Sequence, residues 1–163
     1  MTKDAFRVGW GIDAHRLGGP GPITLGGLEI PSTVGVQATS DGDVIAHAVA
    51  DALLGAAVLG DLGEHFPSSD PSFHDADSME LLRRVVAMIE EAGWRPSHVD
   101  VTLVAQSIRV APHRDGIRTR LAGVLGLDVG SVSVKATTTD GMGLIGQESG
   151  IAAMASAAVA PLP

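Results

Sequence analysis

The run DVIAHAVADALLGAAVLG, residues 43–60, constrains this chain more than any other stretch. Val44, Ile45, Ala48, Val49, Ala52, Leu53 and Ala56 recur at helical spacing, and Ser40 or Asp41 just ahead can serve as the N-cap. On the same helix Asp43, His47 and Asp51 recur every four residues, a polar stripe that needs partners among so many apolar side chains. Upstream, Phe6 to Asp13 alternates as a strand does, GGPGP at 18–22 breaks it, and Ile23 to Ile30 reads as a second extended run. Downstream, Asp77-Ser78-Met79-Glu80 resembles a capping box opening a helix with Leu81, Leu82, Val85, Val86 and Ile89 inward, which Gly93 should close.

Val99 to Gln106 reads as a strand, Pro112 to Leu125 as a helix with Ile117, Leu121, Val124 and Leu125 inward, and Ser131 to Thr138 as another strand. Gly150 to Ala160 is read as a strand, although its alanines also suit a helix and a hairpin with the preceding strand would fit. No repeat or Pro/Ser-rich linker divides the 163 residues, so the expected architecture is one α/β or α+β domain spanning residues 1–163. The 45% hydrophobic content is enough for one core. Nineteen acidic against eleven basic residues, with two Trp, three Phe and no Tyr, give neither the basic footprint nor the stacking platforms of a nucleic-acid binder. The opening MTKDAFRV lacks the apolar core of a leader, and Ile151 to Ala160 is too short to span a bilayer. The expected setting is cytoplasmic, without a membrane partner.

The absence of cysteine rules out a disulfide framework, a thiolate zinc site and a cysteine nucleophile, leaving His and carboxylates as metal ligands. In an extended segment Asp13 and His15 project to one side. Joined by His47, they would make a three-ligand site with the fourth position open, the arrangement of a catalytic zinc or another divalent transition metal. Asp51 could then orient a ligand histidine from behind. A plainer alternative has His47 capped at the surface by Asp51 or Asp43. A second cluster, Lys135-Ala136-Thr137-Thr138-Thr139-Asp140, offers hydroxyls, amides and a lysine to phosphate oxygens, with Asp140 available to a hard cation such as Mg²⁺; its alternative is a Thr-rich edge strand ending in a turn. In Gly60–Pro67 the carboxylate Asp61 stands between glycines, in what is equally a helix end and a solvated turn. No P-loop is present, Gly9-Trp10-Gly11 does not continue as a dinucleotide fingerprint, and His74, His98 and His113 stand singly.

Four blocks together resemble the 2-C-methyl-D-erythritol 2,4-cyclodiphosphate synthase family of the non-mevalonate isoprenoid pathway: GIDAH at 11–15, SDGDVIAHAVADALLGAAVLGDLGEHFP at 40–67, DVTLVAQ at 100–106 and VKATTTDGMG at 134–143. The resemblance implies a mixed sheet with helices on one face, three such sheets packed around a threefold axis in a homotrimer, and active sites between neighbours. It implies a strand for the final segment, and zinc on Asp13, His15 and His47. Ser40, Asp61, Gly63 and the loop Phe66 to Asp70, with Ser68, would line the methylerythritol and phosphate region. Ala105 to Ala111, including Arg109, would surround cytosine largely through backbone groups. Thr137, Thr138 and Asp140 would meet the diphosphate and its Mg²⁺ or Mn²⁺, and Leu144 and Gln147 would complete the substrate contacts. The implied reaction converts 4-diphosphocytidyl-2-C-methyl-D-erythritol 2-phosphate into the cyclic diphosphate and CMP, the work of a phosphorus-oxygen lyase on a small cytidine diphosphate substrate.

The chain departs from the family pattern at three places. Thr39, which with Thr138 would act on the reacting phosphate, stands where a histidine is usual, and its hydroxyl donates a hydrogen bond without bringing charge. Gly146-Gln147-Glu148-Ser149-Gly150 lacks the usual arginine, and Ile108-Arg109 replaces Pro-Lys. The reading that competes with the synthase is a non-catalytic trimeric metal- or nucleotide-binding homologue; a third is a metal-dependent phosphohydrolase that activates water with the same ligands.

Overall fold

Alternation along β1 (Arg7–Leu17) sets the central layer: Gly9 and Gly11 point inward while Val8, Trp10 and Ile12 point out. The helix α1 (Val44–Ala57) crosses the inward side so closely that a Cβ on Gly9 would stand 1.9 Å from the Ala52 carbonyl oxygen. A Cβ on Gly11 would stand 2.1 Å from the carbonyl oxygen of Ala48. Only glycine allows a helix backbone to approach a strand in this way. The molecule is a computed structural model describing residues 6–163, so residues 1–5, most of the opening segment read for a leader, lie outside the described residues.

The main sheet runs β4 (Val36–Gln37), β1, β7 (Gly150–Pro161), β5 (Trp94–Val104), β6 (Val132–Thr137). The β5–β6 pair is parallel and the others antiparallel, which makes the sheet mixed. With α1, the helices α3 (Ser78–Glu91) and α4 (Arg114–Leu125) close one hydrophobic core with the inward residues Val99, Val101, Leu103, Val132 and Val134. Two four-residue helices, α2 (Leu62–His65) and α5 (Gly143–Gly146), sit in the connections. No helix among the described residues is long and apolar enough to cross a membrane.

Several expectations are corrected at their ends. Ile23 to Ile30 is two strands, β2 (Ile23–Leu25) and β3 (Leu28–Ile30), because Gly26 and Gly27 take positive φ and turn the chain into a hairpin. The final segment is a strand, yet its partners are β1 and β5 instead of the preceding β6. The strand expected from Val99 begins at Trp94 and ends at Val104. Residues Ala111–His113 make a 3₁₀ turn, so α4 starts at Arg114, and Val124 is only half-buried. At α3, Asp77 caps through the Met79 amide, but Glu80 pairs with Arg83 instead of closing the box.

The N-cap of α1 is Asp43, not Ser40 or Asp41. Its carboxylate accepts the amides of Ile45 and Ala46 within the helix and those of Gly26 and Gly27 from the β2–β3 turn, at 2.7–3.1 Å. Burial pushes this carboxyl up to about 6 while the amide donors pull it down. The same atoms end the helix and pin the hairpin onto it. Asp43→Asn, which puts an NH₂ against donors, is expected to cost about 2 kcal/mol, read as a lower urea midpoint; an unchanged midpoint would show that the cap is dispensable.

Sheet register also aligns distant residues. Asp13 pairs with Ala153, Ala153 with Leu103 and Leu103 with Ala136, one row at one end of the sheet.

Candidate active site

At that end of β1 the inward positions pass from glycine to Asp13 and His15, and the close approach of α1 brings His47 against them. Asp13 Oδ2 lies 2.9 Å from His47 Nδ1 and 3.0 Å from His15 Nε2, and the two ring nitrogens are 3.5 Å apart. In tetrahedral zinc, bonds of about 2.0–2.1 Å place ligand atoms ~3.3 Å apart, so this triangle fits such an ion with shifts of a few tenths of an ångström. Burial pushes the Asp13 carboxyl up, but hydrogen bonds and charge from His15 and His47 outweigh it and hold it well below the usual carboxylate range. Burial lowers His47, and the Asp13 hydrogen bond and charge more than restore it, leaving it above its ordinary value.

Asp51 does not orient a histidine. Its carboxylate accepts the Leu62 amide at 2.7 Å, anchoring α2, and burial raises its pKa. The group behind His47 is Ser78, whose Oγ is 2.8 Å from Nε2 and which in turn donates to Asp41. In the sequence Ser78 belongs to a helix start and Asp41 to the N-cap candidates, with nothing local linking either to the histidine. The aspartate-serine pair at the head of α3 was visible, but its contact with residues more than thirty positions upstream was not. Ser40 Oγ lies 3.5 Å from the same Nε2 and accepts the Gly42 amide. Thr39 is exposed, and its carbonyl accepts the Asp75 amide at 2.8 Å.

The loop beyond α1 is locally capped. Asp61 starts α2 through the Glu64 amide, Gly63 lies inside that turn, and Phe66 ends it and packs edge-on against Phe73. Ser68 is exposed, and Asp70 caps the 3₁₀ turn Pro71–Phe73 through the Ser72 amide. At the other side of the sheet a pocket of about 190 Å³ unites Ala105, Arg109 and Ala111 with Thr137 and Thr138. Asp140 adopts φ +54° beyond it, its amide donating to Thr138 Oγ1. Leu144 lines a second pocket, of about 290 Å³, beside His15, while Gln147 ends α5.

The structure thus assembles two halves and keeps them apart. Asp13 on β1 and Ala136 on β6 share a row but are separated by β7 and β5, three strand spacings or ~14 Å.

The YgbB family matches residues 6–160. The 2-C-methyl-D-erythritol 2,4-cyclodiphosphate synthase of Pseudomonas aeruginosa is 54% identical over 152 residues, covering 93% of this chain and 97% of that protein. The bifunctional IspDF from Campylobacter jejuni superposes with a TM-score of 0.94 at 38% identity; the match covers 98% of this chain and 43% of that one, so this chain spans less than half of it. IspF from Plasmodium falciparum, solved as a CDP complex, gives a TM-score of 0.86 at 30% identity over 99% of this chain and 100% of that one.

Proposed function

Because the chain belongs to the YgbB family, we propose that it makes 2-C-methyl-D-erythritol 2,4-cyclodiphosphate, as one cyclodiphosphate synthase domain over residues 1–163 acting in the cytoplasm. The observation that carries this reading is the convergence of Asp13, His15 and His47, with one ligand atom from each within 4.8 Å. The non-catalytic alternative would hold the same metal, and it is disfavoured by the 54% identity, over 93% of this chain, to a protein named as the synthase.

The product joins two phosphates in a ring and CMP keeps one. The bond formed therefore runs from an oxygen of the substrate's 2-phosphate to the phosphorus on C4, and the bond broken is the bridge to CMP, which leaves with the electron pair. A phosphate with a second pKa near 6 is mostly dianionic at neutral pH, so the chain need supply no strong base. Zinc on Asp13, His15 and His47, and Mg²⁺ or Mn²⁺ at Asp140, would neutralise charge on the two reacting groups and on the departing CMP. Thr137 and Thr138 offer hydroxyls to the diphosphate, Thr39 donates a hydrogen bond to the reacting phosphate, and the backbone of Ala105 to Ala111 reads the cytosine. Ser40, Asp61, Gly63, Phe66, Ser68 and Asp70 flank the methylerythritol end, with Leu144 and Gln147 closing it. This is lyase chemistry built from positioning and charge neutralisation.

A homotrimer brings the two halves together. The open face of the sheet carries Val8, Trp10 and Ile12, 62%, 65% and 53% exposed, beside Met154, Ser156 and Ala158 of β7. Packing three such faces on an axis would cover this patch and set one chain's metal ligands against a neighbour's Thr137 and Thr138. ³¹P NMR of the protein with 4-diphosphocytidyl-2-C-methyl-D-erythritol 2-phosphate, zinc and Mg²⁺ is expected to show CMP and cyclic diphosphate in equal amounts. Inorganic phosphate in their place would make the protein a hydrolase.

A further inference from the structure

Ser78 is one of two fully buried polar residues of the described core, the other being Asp43, whose carboxylate caps α1. Its hydroxyl stands between His47 and Asp41, residues of another helix and its leading loop. We infer that Ser78 and Asp41 are positioning residues that set the tautomer and ring plane of His47 for metal binding.

The inference rests on the reading that Asp13, His15 and His47 hold a metal. His47 turns Nδ1 toward Asp13 and Nε2 toward Ser78. A ligating Nδ1 must offer its lone pair, so the ring proton sits on Nε2 and donates to Ser78 Oγ. The Ser78 O–H then points onward to Asp41 Oδ1, giving a directed chain from Nε2–H through the hydroxyl to a carboxylate. Asp41 is held for this task from two sides: Oδ2 accepts the Ser78 amide at 3.0 Å and Oδ1 the Asp43 amide at 3.2 Å. The Ser78 amide is one of the unpartnered donors at the start of α3, so the bond that docks this helix also fixes the carboxylate. An outer partner of this kind selects the ligating nitrogen and raises its basicity. Ser40, at 3.5 Å from Nε2, is too far to replace it.

Zinc affinity of the full chain, measured by competition with a chromophoric chelator, tests the assignment. Ser78→Ala is expected to weaken zinc binding about 10- to 100-fold, and Ser78→Thr, which keeps the hydroxyl, to restore most of it. Asp41→Asn is expected to weaken binding in the same direction and to add nothing on top of Ser78→Ala, since the two act as one chain. If Ser78→Ala fails to fold, Asp41→Asn carries the test alone. A Ser78→Ala protein with a lowered metal-free melting temperature and zinc affinity within twofold of the parent would overturn the inference, leaving Ser78 purely structural. His47→Ala separates the two levels. Zinc held as tightly without His47 would overturn the metal reading itself, and with it this one.

Discussion

Replacing His47 by alanine is expected to lower CMP release by on the order of 10³-fold or more, because a Lewis acid at the reacting phosphate supplies several kcal/mol and each 1.36 kcal/mol is a factor of ten. The substitution removes one of three ligand atoms that lie within 4.8 Å of one another, and leaves Asp13 without the partner 2.9 Å away. Metal content and turnover should fall together, and added zinc should restore little. Asp51→Asn is the informative comparison. It sits one turn further along α1 but holds the Leu62 amide and no histidine. It should keep its metal and change mainly KM, through the α2 loop. His47→Ala with full zinc occupancy and undiminished CMP release would remove the proposed centre.

Gly11→Ala should cost about 3 kcal/mol of stability, at the upper end of what overpacking costs. Strand propensity alone predicts the opposite sign, since glycine is a poorer strand former than alanine. Packing decides because the added Cβ would meet the Ala48 carbonyl oxygen at 2.1 Å and the Ala52 amide nitrogen at 2.7 Å, both backbone atoms of a helix that cannot step aside locally. Relief requires α1 to lift from β1, which carries His47 away from Asp13 and His15, so zinc affinity should drop with the unfolding midpoint. Gly123→Ala in α4 is the control. Nothing lies within 4 Å of its Cβ position, and helix propensity then favours alanine by roughly 1 kcal/mol. Equal effects of the two substitutions would refute the close-packing account.

The cluster of Asp13, His15 and His47 that could hold a metal is legible because both periodicities are short-range: two residues apart on a strand and a polar stripe on an apolar helix. The same stripe misled at its ends. Asp51 shares the face of His47, but the amide opening α2 needs an acceptor and takes its carboxylate. Asp43 looked like a third member of the stripe, whereas it caps the helix and gathers the amides of a turn seventeen residues upstream. Ser78 and Asp41 become partners of His47 only when α3 docks on the loop before α1, a contact that no local pattern encodes. Gly9-Trp10-Gly11 reads as a nucleotide fingerprint that does not continue; its spacing puts both glycines on one strand face, but the lack of room there comes from α1 crossing that face. The final strand could not be told from a helix by its alanines, since its identity comes from lying between β1 and β5.

The row that links Asp13, Ala153, Leu103 and Ala136 makes the sheet a ruler. Slipping one strand by a single residue exchanges its inward and outward faces, and here it would also move one half of the site out of line with the other. Substitutions in β1, β5, β6 and β7 change what stands on the ruler, while insertions and deletions change its scale. Length variation in this protein therefore belongs in exposed connections between the elements, where the chain can grow without moving the row.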